Sequence, residues 1–535
     1  MTDAPVHLSG QVASEGLAIG PLCVLRDSFD RSREPGNAED EGALLTRSIA
    51  AAAADLDVLI AAQGDDDAAA ILEFQREMLG DAALAEPAFA DITAGAPADR
   101  AWEQAMAAQI EIYAEEDDDY FRARAIDLTD LKDRVLRRMV AAEDADIAAP
   151  EGAVLFGDDL SPSRFLSLDW SRYGGVALAA GSTAGHVAML ARARRVPMIV
   201  GLGDAAAADG AMALLDAEAG ALVLRPSPDQ MRAAEDRRAA AARRREEEDR
   251  FLPRPARTAD GVDIAVMINV EAPDTLGAID PGHCDGIGLV RTEFLFYRDE
   301  GLPDEAAQFE AYKAFLDWAG GRPVTIRTLD AGGDKPIPGL TRDGEDNPFL
   351  GVRGLRLSLR RPEVFRVQLR ALARAACHGN LKVMFPMVTV PDEFEAASAL
   401  FREVVDEFRA EGVEAALPAR GIMVEVPAAA LRIADFDADF FSIGSNDLTQ
   451  YVTACSRGEP ELAALFDPLD PAVLELIARV AAHGGATGRE VSLCGDMAGE
   501  PRCLDALLAC GLRTLSVAPS RLAATKAAIA AVETP

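Results

Sequence analysis

Several things are scarce in this sequence, and each scarcity closes off a class of function. No apolar run is long enough to span a bilayer, and the N-terminus "MTDAPVHLSG" has no basic segment leading an apolar core, so neither membrane insertion nor export is expected. Basic residues are outnumbered, giving a net charge of −36, and an acidic surface repels nucleic acid while suiting a basic protein partner. The seven cysteines are scattered without a CxxC pair, which argues against a zinc site or disulfide frame and for reduced thiols in the cytoplasm. No dinucleotide-type glycine fingerprint opens the C-terminal half. Histidines number only five, and one of them, His186, stands in "GSTAGHVAMLARARRVPMIVG" among Gly, Ser, Thr and Ala.

What is present points to a multidomain α/β protein. With 535 residues, 49% hydrophobic and 27% charged, the chain is globular and too long for one core. Residues 1–30 read as short strands and turns. Residues 31–142 are Ala-rich with apolar positions at three- and four-residue spacing, the texture of a helical insert. Its acidic stretches "GDDDAAA" (64–70) and "EEDDDY" (115–120) read first as solvated surface. Short strands bounded by Gly or Pro return over 143–226, at 152–156, 175–180, 197–201 and 220–226, with a helix after His186. Together with 1–30 they form one small α/β domain interrupted by the insert. Residues 227–257 hold a highly charged linker helix opened by Ser-Pro.

From 258 to 535, strands alternate with amphipathic helices. Eight candidates, at 262–270, 284–290, 322–329, 381–387, 420–426, 438–444, 490–495 and 513–519, match a (β/α)8 TIM barrel, with an open doubly wound sheet as competitor. A barrel puts its chemistry at strand C-terminal ends. Those ends carry Arg291 and Glu293, then Arg327, Asp330 and Lys335, then Glu425, then Asn446 and Asp447, then Cys494, while a Gly-rich loop carries Arg353. Converging arginines suit a multiply anionic small molecule. Glu425 and Asp447 read as a hard-ligand pair for Mg²⁺, as general acid/base carboxylates, or as partners of the same arginines. Cys494 reads as a small buried hydrophobe or as a thiol able to protonate a carbanion-like carbon.

In combination, "GLVRTEFLF", "IRTLDAGGDKPIP", "NPFLGVRGLR", "MFPM", "GIMVEVPAAA", "FFSIGSNDLTQY" and "LCGDMAG", with "GHVAMLARARRVPMIVG" and "DDYFRARAIDLTDLKDRVL", resemble the phosphoenolpyruvate-dependent protein phosphotransferases, enzyme I of the bacterial sugar phosphotransferase system. The resemblance implies a swivelling phosphohistidine domain, a helical insert that docks the phosphocarrier protein HPr, and a barrel that binds phosphoenolpyruvate and forms a homodimer. It implies that His186 accepts the phosphoryl group. Arg291, Arg327, Asn446 and Arg457 would hold phosphoenolpyruvate with Lys335 and Arg353 nearby, Glu425 and Asp447 would bind Mg²⁺, and Cys494 would protonate the enolate. The family pattern has a Thr-Ser pair directly before the histidine, where this chain has Ala184-Gly185. Phosphoenolpyruvate synthases and pyruvate phosphate dikinases share the two parts but need a nucleotide-binding domain that finds no place here. A catalytically impaired phosphoenolpyruvate sensor is the non-enzymatic alternative.

Overall fold

The computed structural model describes the chain except residues 1–4, 26–32, 34, 63–65, 115–118, 141–148, 184, 204–208, 297–300, 334, 336, 338, 343, 457–461, 463 and 534–535. It forms two compact units, Met1–Ala241 and Ala242–Pro535.

Unit one is built on a mixed eight-stranded sheet: β1 (Val6–Ser9), β2 (Gln11–Ser14), β3 (Leu17–Val24), β4 (Ala153–Gly157), β5 (Tyr173–Leu178), β6 (Met198–Val200), β7 (Met212–Asp216) and β8 (Ala221–Leu224). Their order is β1-β8-β7-β3-β4-β5-β6-β2. β3 and β4 pair in parallel, Leu22 against Val154 and Val24 against Phe156, although five helices intervene among the described residues. Those are α1 (Ala38–Ala62), α2 (Asp66–Gly80), α3 (Ala82–Thr93), α4 (Ala98–Ala114) and α5 (Asp119–Met139). They share one apolar core with the face of the sheet carrying Leu155, Val176 and Met198, where Trp102, Leu131 and Phe165 are fully buried. Each large side chain so buried contributes about 1.5–3 kcal/mol.

Within the insert α4 is described up to Ala114 and α5 from Asp119. α3 is started by Asp81, whose side chain accepts from the Ala83 N–H. One strand, β7, lies outside the stretches the sequence marks. β7 has an Ala-rich approach, yet it is a strand because it pairs antiparallel with both β3 and β8. Both acidic stretches of the insert lie on residues outside those whose side chains are described.

Helix α6 (Pro162–Ser167) is capped by Ser161 and has Pro at its first position. α7 (His186–Arg194) begins at the histidine itself. α8 (Pro228–Asp249) is mostly exposed, but its first turns are tied to the sheet: Ala234 packs with Leu214 and Val223, and Arg237 Nη1 donates to Asp216 Oδ2 at 2.5 Å.

Unit two contains a closed parallel barrel: β9 (Ala265–Val270), β10 (Ile287–Val290), β11 (Val324–Arg327), β12 (Leu381–Phe385), β13 (Ala419–Val424), β14 (Phe440–Ile443), β15 (Glu490–Leu493) and β16 (Thr514–Val517), with β16 pairing back to β9. All but the first residue of β13 fall inside the stretches the sequence marks, so the barrel stands and the open sheet does not. Side chains fill its interior: Leu289, Met384, Met423, Phe440 and Cys494 form one cluster. Gly288 is small because a Cβ there would lie 2.4 Å from Ser516 Oγ and 3.1 Å from Met267 Cβ. Outside, amphipathic helices such as Pro362–Ala375 bury Phe365, Leu369 and Leu372 against the strands.

Candidate active site

The C-terminal ends of the barrel strands bring most of the expected residues into one connected ionic network. Arg327, the last residue of β11, is 4% exposed. Its Nη2 donates to both oxygens of Glu293, at 3.1 and 3.0 Å, and its Nη1 lies 3.2 Å from Asp330 Oδ2. Arg353 is clamped between two carboxylates. Nε and Nη2 donate to the two oxygens of Asp330, each at 3.1 Å, and Nη1 and Nη2 donate to those of Asp447, at 2.9 and 3.3 Å. Lys335 Nζ stands 3.7 Å from Glu293 and 3.8 Å from Asp330. The loop bearing Arg353 can come this close because Gly354 follows at φ +60, where a Cβ would press on Met387 and stand 3.1 Å from Asp330 Oδ1.

Burial decides how these charges behave. Asp330 is fully enclosed, which alone would raise its pKa, but Arg327, Arg353 and Lys335 hold it well below the ordinary carboxylate range. Glu425, just past the end of β13, goes the other way. Burial first, then Asp447 and Asp330, push its pKa well up despite Arg327 and Arg353. Its Oε1 accepts from the Met387 N–H at 2.6 Å, and Gly444 leaves room for it, since a Cβ there would stand 2.9 Å from Oε2.

This arrangement bears on a metal. Four carboxylates (Glu293, Asp330, Glu425, Asp447) face three cations (Arg327, Arg353, Lys335), and the raised pKa of Glu425 leaves the mouth near charge balance. Among the described residues no group of three or more acidic, His or Cys side chains is placed to hold a metal by itself. Glu425 and Asp447 are hard oxygen donors of the kind a Mg²⁺ ion takes, its shell completed by water and substrate oxygens.

The remaining expected residues ring this network. Cys494, at the end of β15, is buried; its thiol donates to the Ile443 carbonyl at 3.5 Å and accepts from Ser442 Oγ at 3.4 Å. Burial pushes the thiol pKa up, against the Ser442 hydrogen bond and Arg327. Arg291 stands at the more exposed rim, where Nη1 donates to Glu271 Oε1 at 2.6 Å. Asn446 donates to Asp496 Oδ2 at 2.9 Å and accepts from the Asp496 N–H at 3.0 Å. Arg457 lies outside the described residues. Sequence reasoning passes over Tyr451, whose hydroxyl lies 3.5 Å from Arg353 Nη1, and Gln368, which ties the Leu329 N–H to Thr292 and Tyr312. Only their places on helices packed behind the mouth distinguish them.

In unit one, His186 is the first residue of α7, with Gly185 as its N-cap. The loop before it is held from behind: Arg192 Nη1 donates to the carbonyls of Thr183 and Ala13, each at 2.9 Å. The imidazole is 29% exposed, in a cleft lined by Asp159, Leu160, Ser182 and Gly185. The carboxylate of Asp127 faces it, with Oδ1 3.7 Å from Nδ1. Nothing in the local sequence around His186 announces that partner, which comes from α5.

Comparison with known proteins gives these two sites a common context. Residues 245–534 match the PEP-utilising enzyme, PEP-binding domain; residues 9–124 match the N-terminal domain of those enzymes, and 149–220 their mobile domain. The phosphoenolpyruvate-protein phosphotransferase of Geobacillus stearothermophilus is 35% identical over 97% of this chain and 92% of its own length. This chain belongs to the phosphoenolpyruvate-protein phosphotransferase family. The member from Staphylococcus aureus is 33% identical over 96% of this chain and 92% of its own. The one from Haloferax volcanii is 38% identical over 88% and 83%. No helix among the described residues is long and apolar enough to cross a membrane.

Proposed function

We propose that this chain takes the phosphoryl group of phosphoenolpyruvate onto His186 and passes it to a histidine of an HPr-like phosphocarrier protein, releasing pyruvate. The observation that carries the reading is the guanidinium and ammonium groups of Arg327, Arg353 and Lys335, fixed in place by carboxylates before any substrate arrives. Phosphoryl transfer is mostly positioning and charge neutralisation, and donors that need no reorganisation supply both. Arg291, at the rim, and Asn446 are each held by one carboxylate partner and are free to turn to the substrate's phosphate and carboxylate, joined by Arg457.

PEP-utilising enzymes use a metal, and here Glu425 and Asp447 would hold it as Mg²⁺. When bound, Mg²⁺ would neutralise substrate charge. The Nε2 lone pair of His186 attacks phosphorus as the bond to the enol oxygen breaks. The enolate left behind takes a proton at its methylene carbon from the Cys494 thiol, which its raised pKa keeps protonated near neutral pH. The phosphoryl group on His186 then moves to the carrier, docked on the helical insert 31–142. A homodimer formed through the barrel and a cytoplasmic location complete the proposal. No observation favours the alternative of a catalytically impaired sensor.

The test is transfer of label from ³²P-labelled phosphoenolpyruvate to the purified chain, with Mg²⁺ or EDTA, beside His186→Ala. Acid-labile, alkali-stable label that requires both Mg²⁺ and His186 is expected. An unlabelled wild type that still binds phosphoenolpyruvate would overturn the proposal.

A further inference from the structure

Helix α5 brings two acidic residues, Asp127 and Asp130, to the inner side of the helical insert, 1% and 9% exposed. Gln75 of α2, fully buried, bridges them: its Nε2 donates to Asp127 Oδ1 at 3.1 Å and to Asp130 Oδ2 at 3.2 Å. Asp130 is well satisfied, because Ser163 donates to it from its hydroxyl at 2.8 Å and from its backbone N–H at 3.4 Å. Asp127 is not. Its Oδ2 is buried without a hydrogen-bond partner among the described residues, and its Oδ1 faces His186 Nδ1 at 3.7 Å.

A buried carboxylate oxygen with no donor is costly, so a structure that keeps one has a use for it or a partner about to arrive. The candidate donor for this under-satisfied carboxylate is the imidazole, whose Nδ1 stands 3.7 Å from Oδ1, one small displacement from a hydrogen bond. The network behind Asp127 fixes where that carboxylate stands: Gln75 holds Oδ1, and Ser163 anchors Asp130 to α6 of the α/β domain.

We propose that Asp127 is the positioning residue of His186: its carboxylate accepts the Nδ1–H proton, so that Nε2 is the nitrogen that takes and gives the phosphoryl group. The proposal deepens the phosphotransferase reading and rests on it. In neutral imidazole only one nitrogen bears a lone pair for attack, and the bond made by the other decides which. As the Nε2–P bond forms and the P–O bond to the enolate breaks, the ring gains positive charge while the proton stays on Nδ1. Asp127 faces that charge. On transfer to the carrier the Nε2–P bond breaks, its electron pair returns to Nε2, and the Nδ1–H remains where it was, ready for the next cycle. A nucleophile oriented by a base-facing third group is a recurrent catalytic device, here assembled across the insert and the α/β domain.

The test combines tautomer and rate. The chain labelled with ¹⁵N at histidine is expected to show His186 protonated on Nδ1 and unprotonated on Nε2 in its neutral form. Asp127→Asn is expected to shift that balance toward Nε2–H and to slow single-turnover labelling from phosphoenolpyruvate roughly 10- to 100-fold, with KM for phosphoenolpyruvate within about two-fold of wild type. A wild-type His186 protonated on Nε2 would overturn the proposal without any variant being made. So would Asp127→Asn that labels at the wild-type rate with unchanged ¹⁵N shifts. A wild type that takes no label would instead remove the phosphotransferase reading, and the tautomer would still decide the role of Asp127.

Discussion

On the proposed function, the barrel mouth and the histidine loop handle the same phosphoryl group with opposite designs. At the mouth, Arg327 and Arg353 are almost wholly buried and each is held by carboxylates on two sides. At the loop, His186 is 29% exposed, its neighbours in sequence are small, and one carboxylate approaches it to 3.7 Å. On that reading the mouth binds one small anion, always the same, and gains by having its charges fixed in advance. The histidine would be reached first by that substrate and then by another protein's side chain, and its surroundings leave room for both. Rigidity belongs where the ligand is constant, and openness where the partner changes.

The largest effect that would break this contrast is at Arg353. Replacing it in Arg353→Met leaves Asp330 and Asp447 buried and facing each other without their shared cation. Removing one partner of a buried ion network costs about 3–5 kcal/mol, so unfolding of the barrel in denaturant should shift by that amount. Labelling of His186 from phosphoenolpyruvate should be lost with it. A shift below about 1 kcal/mol would mean that the mouth is not held by its charges, and the contrast would fail.

Cys494→Ala sharpens the comparison by separating steps. Phosphorus leaves the substrate before the methylene carbon is protonated, so a single turnover should still label His186. Steady-state pyruvate formation in the presence of the carrier should fall about 100-fold, the usual contribution of a placed general acid. Because burial raises the thiol pKa, the wild-type rate should not lose its acid form until pH rises above the ordinary thiol value. An alanine variant with unchanged steady-state turnover would make Cys494 a packing residue of the barrel interior.

These two sites also differ in how far they can be read from sequence. Every barrel strand ends in the chain where its apolar run ends, and a (β/α)8 barrel gathers those ends, so Arg327, Glu425, Asp447 and Cys494 are legible as one site from the order of residues alone. Their partners are less so: nothing in "GLVRTEF" says that Arg291 rests on Glu271, or in "GSNDLTQY" that Asn446 bonds Asp496. His186 is legible from its setting, but Asp127 is not. It sits mid-helix in the insert, where a buried acidic residue has the same sequence signature as an exposed one, and only the approach of the α5 carboxylate to the first residue of α7 distinguishes them. β7 is hidden for a related reason, since its pairing with β3 crosses most of the unit.

The smallest predicted effect tests whether the buried charge of Glu41 serves stability and not chemistry. Glu41, at the start of α1, is 3% exposed and accepts from both terminal nitrogens of Arg33 and from the backbone N–H groups of Gly36 and Ala98, each of the latter at 2.6 Å. The Arg33 hydrogen bonds, against burial and helped by Ala98 and Gly36, lower its pKa from 4.5 to about 2. A carboxylate with a lowered folded-state pKa stabilises the fold above its unfolded value, and that contribution is lost as pH falls through the folded one. The clamp should therefore be intact above about pH 4.5 and fade toward pH 2. Glu41→Gln should cost about 2 kcal/mol at neutral pH, the worth of hydrogen bonds to a charged group, and the gap to wild type should close across that acidic window. Denaturant unfolding at a series of pH values reads both. Labelling of His186 under native conditions should be untouched, because Glu41 bonds Arg33 and the start of α4, and neither bonds the histidine. If Glu41→Gln instead slowed labelling while sparing stability, the Glu41 cluster would be tied to the histidine, and the contrast between a fixed mouth and an open loop would fail.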